Sequence, residues 1–89
     1  MPLPFTAFVL SLASTAAIHF GDLPDPSSGQ IAEPNLEGAT QMIEILELLQ
    51  EKTRSNLTSE ERQVLEQVLY ELRMRFVTAS SGGKRIVEP

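Results

Sequence analysis

Residues 35–77 read NLEGATQMIEILELLQEKTRSNLTSEERQVLEQVLYELRMRFV, and this stretch decides the fold. Asn35 is a good helix N-cap, and behind it Leu36, Ala39, Met42, Ile43, Ile45, Leu46, Leu48 and Leu49 recur at helical spacing as far as about Thr53. The large ones span an arc of roughly 200°, wider than the single stripe of a surface helix, so this helix is expected to touch neighbours on two sides. Arg54-Ser55-Asn56-Leu57 breaks the pattern. Thr58-Ser59-Glu60-Glu61 then spells a capping box, in which the Thr58 hydroxyl accepts from the Glu61 N–H and the Glu61 carboxylate reaches back to Thr58. Val64, Leu65, Val68, Leu69, Leu72 and Phe76 form the apolar face of a helix over about 59–77, opened by acids and closed by Arg73 and Arg75 as the helix dipole prefers. Two long helices around a short break make an antiparallel αα-hairpin.

Upstream, residues 22–34 hold three prolines, two serines and a glycine, the chemistry of an extended linker. Its length suits a crossover from one end of a bundle to the other, or a tether that lets the preceding segment dock elsewhere. That segment is a helix over about 5–20: Phe5, Phe8, Val9, Leu12, Ala16 and His19 share one face, and the opposite face is small rather than charged. Pro4 suits its start and Gly21 its C-terminal cap. A helix that is apolar or small all round is buried in protein or in lipid. Residues 80–89, opening on Ser80-Ser81-Gly82-Gly83, read as a flexible tail. The fold class is therefore all-α, a single three-helix domain over 1–79.

The chain has 89 residues, no cysteine, one histidine, 7 basic and 12 acidic side chains, and a net charge of −5. One small domain fits that length. The absence of cysteine excludes disulfides, thiolate metal sites and thiol nucleophiles. Every Lys and Arg lies at or after Lys52, and no acid precedes Asp22. The acidic balance argues against nucleic acid as a partner, which needs clustered basic residues.

Candidate chemistry is thin. His19 ends an apolar helix, where a cation meets the helix dipole favourably, and no second histidine stands at metal-ligand spacing. Glu44, Glu47 and Glu51 share a face of the second helix and read as a solvated face rather than a cation or acid–base site. Arg73 and Arg75, with Arg62, offer a basic patch, but ordinary pairing is expected instead, Arg62 with Glu66 and Arg75 with Glu71. Asn56-Leu57-Thr58 fits a glycosylation acceptor but is explained by the helix start. Gly82-Gly83-Lys84 lacks the upstream glycine of a phosphate loop. No cofactor is expected, and enzymatic activity is not.

Two covers are open to the first helix: a second molecule, or the hairpin of its own chain. Apolar burial in so short a chain barely offsets the entropy of ordering it, which favours the second molecule. The expected interaction residues are then Phe5, Phe8, Val9 and Leu12, with Met42, Ile45 and Leu49 of the second helix. Tyr70 and Met74, with Val77, lie at the back of the third as a second contact surface. A secretory signal is argued against by the missing basic n-region and cleavage site. A membrane span is disfavoured because an uncharged run of about 16 to 18 residues falls short of the usual span and lacks flanking basic residues. Ala7-xxx-Ser11-xxx-Thr15 and Ala13-xxx-Ala17 serve close packing in lipid or in a bundle alike. A cytoplasmic protein is expected, with membrane association through residues 5–20 as the alternative.

Three blocks carry a family resemblance. Phe5-Thr6-Ala7-Phe8-Val9-Leu10-Ser11-Leu12-Ala13 with His19-Phe20-Gly21-Asp22-Leu23-Pro24-Asp25-Pro26 is the first, and Ile43-Glu44-Ile45-Leu46-Glu47-Leu48-Leu49-Gln50-Glu51-Lys52-Thr53 the second. Asn56-Leu57-Thr58 through Leu69-Tyr70-Glu71-Leu72-Arg73-Met74-Arg75-Phe76-Val77 is the third. Together they resemble a bacterial family called domain of unknown function 1844, over nearly the whole chain to about Thr78. The resemblance implies a small helical protein with no assigned activity, cofactor or catalytic residue. The functional expectation is a non-enzymatic interaction or scaffold protein that self-associates through its first helix and the wide face of its second. The alternative is an accessory subunit of a larger, possibly membrane-bound, complex.

Overall fold

Pro4, extended at φ −63° and ψ 143°, starts the first helix with no side-chain cap. In the computed structural model, which describes residues 3–81 (Ser81 by its backbone alone), α1 runs Phe5–Phe20, α2 Leu36–Lys52 and α3 Ser59–Ser81. There is no strand among the described residues, so the chain is all-α. Gly21 ends α1 in the left-handed region at φ 84°, where a side chain would be strained. Its N–H reaches the Ile18 carbonyl and that of Asp22 the Ala17 carbonyl, the paired bonds of a Schellman cap. At α2 the Asn35 carboxamide oxygen accepts from the Gly38 N–H at 3.0 Å. At α3 the capping box is reciprocal: Glu61 N–H to Thr58 Oγ1 at 3.1 Å, Thr58 N–H to Glu61 Oε1 at 2.9 Å.

The proline-rich segment is not a crossover. The Asn35 N–H donates to the His19 carbonyl at 2.6 Å, so residues 22–34 leave the bundle and return to the end they left. The excursion organises itself around Asp25, whose carboxylate accepts from the Ser27 N–H and hydroxyl and whose carbonyl accepts from the Gly29 N–H. Closed ends and internal bonds make it an Ω-like loop. The composition of this segment is the same for both topologies, which is why it did not discriminate between them.

α2 starts beside the end of α1, and α3 doubles back along α2 to bring Arg75 to Asp22 at that same end. α1 and α3 therefore run in one sense and α2 in the other, and each helix packs on both of its neighbours. The core takes Val9, Ala16 and Phe20 from α1, Ala39, Met42, Ile43 and Leu46 from α2, and Leu65, Val68, Leu69 and Leu72 from α3. Phe5, Leu12, Leu49, Val64 and Phe76 pack against its edge.

Helix α3 continues past Val77 to Ser81. Nothing before Gly82 breaks it: the Thr78 and Ser80 hydroxyls bond back to the Met74 and Val77 carbonyls, and Ala79 packs against the core. Of the expected tail, residues 80 and 81 are helical and 82–89 lie outside the described residues.

Candidate functional site

Where α1 ends and α2 begins, the first turn of α2 has no side chain at Gly38, and the His19 imidazole lies in the space so left. A Cβ at Gly38 would stand 2.8 Å from His19 Nδ1 and 2.9 Å from Asn35 Nδ2. His19 thus packs against a bare helix turn, half-buried, in keeping with a structural role for its side chain. Beside it, Arg75 makes two bonds of 2.7 Å to the Asp22 carboxylate, a fork-on-fork pair between residues 53 positions apart. Its guanidinium carbon also sits 5.2 Å from the centre of the Phe20 ring, within cation–π range. One side chain of α3 thereby clamps the start of the loop and the last residue of α1.

The Arg75 hydrogen bond holds the Asp22 carboxyl below its ordinary value of 3.8, against the opposing effect of burial and with a smaller contribution from the Arg75 charge. A depressed folded-state pKa stabilises the fold above the unfolded value and is lost as pH falls through the folded one. Both side chains are more than a third exposed, 35% and 41%, so solvent holds the effect to about 1 kcal/mol or less. Asp22→Asn should therefore lower stability near neutrality and leave it unchanged in strong acid. Urea melts as a function of pH check this, and a deficit that stays constant into strong acid would contradict the clamp.

Arg75 turns to Asp22 rather than to Glu71, which accepts from Gln67 Nε2 at 2.7 Å instead. Two of the glutamates on that face of α2 are drawn to separate partners: Glu47 to Arg73 across the hairpin at 2.9 Å, Glu51 to Arg54 at 2.7 Å. Among the described residues no polar or charged side chain is buried, and no three His, Cys, Asp or Glu are grouped to hold a metal. The remaining concavities are open grooves. One, about 590 Å³, lies between α1 and α3 over Leu10, Val64 and Val68 with Glu66 and Glu71 at its rim; another, about 370 Å³, lies between α2 and α3 over Ile43 and Phe76.

The expected interaction residues divide. Val9 and Met42 are corrected: they are buried in the chain's own core, because α1 lies on its own hairpin and covers the arc of α2 that contains Met42. Phe5, Leu12 and Leu49 are half-buried against that core. Phe8 and Ile45 remain exposed, as do Tyr70 at 60% and Met74 at 49%. Exposed Leu48 extends the surface of Ile45 on α2, and exposed Leu10 lies on the α3 side of α1. Sequence reasoning did not find the Asp22–Arg75 clamp or the Gly38 cradle, since neither has a local signature.

Among the described residues, no helix is long and apolar enough to cross a membrane. No curated relative and no solved structure matches the chain. Residues 2–78 match the family described as Domain of unknown function (DUF1844). That match spans α1, the Ω-like loop, α2, α3 as far as Thr78 and the clamp between Asp22 and Arg75, and the chain belongs to the DUF1844 family.

Proposed function

We propose that this protein is a non-enzymatic helical interaction or scaffold module that acts by associating with copies of itself. The observation that carries the reading is what stays outside after the core has closed. Tyr70, Met74 and Val77 stand exposed together along α3, while Phe8, Ile45 and Leu48 stand exposed on α1 and α2. A single exposed apolar residue needs no explanation, but a row of three large ones on one helix marks a contact surface.

Sedimentation velocity from micromolar to millimolar protein, without detergent, tests the reading. A weight-average mass rising with concentration toward a defined oligomer is expected. A single-chain species across the whole range would overturn self-association and leave the accessory-subunit reading, in which the same surface meets a different chain.

A further inference from the structure

We infer that the outward face of α3 pairs with α3 of a second copy, antiparallel, about a two-fold axis passing near Tyr70. This rests on the proposed self-association and names its surface and geometry. Tyr70, Met74 and Val77 fall within about 60° of one another on the helix, opposite the buried line of Leu65, Val68, Leu69 and Leu72. Tyr70, the largest and most exposed of the three, stands near the middle of the row that Gln63 opens and Val77 closes.

Charge selects the partner and its direction. Glu66 and Arg73 flank the row on the same side, about 20° apart around the helix, one on either side of Tyr70 along its length. Two parallel copies would carry this flank to opposite sides of the seam, so that Glu66 and Arg73 of one never meet those of the other. Two antiparallel copies related at Tyr70 set Glu66 of each within one residue, about 1.5 Å along the axis, of Arg73 of the other, twice over. Arg73 bonds Glu47 through one terminal nitrogen and is half exposed, which leaves guanidinium donors for a second carboxylate. The two Tyr70 rings meet at the axis, where aromatic pairs are favourable. A self-complementary patch of this kind is what a two-fold dimer requires. One helix face buries less than a standard interface, so the dimer is weak and concentration-dependent.

The test is sedimentation equilibrium at low salt on the full chain, with helicity and melting checked for each variant. Glu66→Arg and Arg73→Glu should each weaken the dimer by roughly tenfold, because both symmetric pairs become repulsive. The double variant should recover most of the affinity. An equimolar mixture of the two single variants should form a heterodimer in which both pairs are again opposite in sign. Tyr70→Lys, at a position with no core contact to lose, should abolish association with the fold intact. A natural chain that associates regardless of all four variants would overturn the α3 pairing while sparing the proposed self-association. A natural chain that never associates would overturn both.

Discussion

Replacing Phe20 with alanine is expected to remove about 3–5 kcal/mol of stability, a large share of what a domain of this size possesses. The side chain is 2% exposed and is the largest in the core. It closes α1 at the turn where the chain leaves for the Ω-like loop, and its ring carries the Arg75 guanidinium on one side. Truncation therefore loses the transfer free energy of an aromatic ring, leaves a cavity at the junction of three helices, and withdraws the surface on which the clamp rests. In a domain this small each kcal/mol moves the melting midpoint by about 4–8 °C, so a fall of tens of degrees follows. Thermal and urea melts followed by circular dichroism measure it. A loss under about 1 kcal/mol would mean that Phe20 is not packed as described.

Leu46 and Leu48, two residues apart on α2, should behave in opposite ways. Leu46 has no exposed surface and belongs to the core that all three helices build, so Leu46→Ala should cost about 2–5 kcal/mol. Leu48 is 58% exposed, and Leu48→Ala should change the stability of the single chain by no more than about 0.5 kcal/mol. Their chemistry and helix propensity are identical, so the contrast isolates burial. Paired urea melts at low protein concentration make the comparison, and equal losses would show that the inward face of α2 is misassigned.

The wide apolar arc of α2 is where sequence and structure part in an instructive way. Its width was legible and so was the need for two neighbours, and the structure supplies two, α1 and α3, from the same chain. What periodicity could not convey is the register that brings His19 against Gly38, and so the fact that α1 takes up one side of the arc. The capping signals at Asn35, Thr58 and Gly21 were legible because each is a local bond across three to five residues. The ion pairs were not: Arg75 had an attractive partner one helical turn away, yet it bonds an aspartate 53 positions back because the bundle carries it there. The exposed row of Tyr70, Met74 and Val77 was legible as the back of α3, since a helix with one apolar face toward a core leaves an outward face that any large side chain makes conspicuous.

Helix α1 is covered by the hairpin of its own chain, and its buried residues belong to the same core as those of α2 and α3. Amide hydrogen exchange on dilute protein separates this packing from an unpacked first helix. The amides of Val9, Ala16 and Phe20 should be protected to the same degree as those of Leu46 and Leu69, because all five side chains belong to one core. Exchange of the α1 amides at the rate of an unstructured peptide, with α2 and α3 still protected, would contradict it.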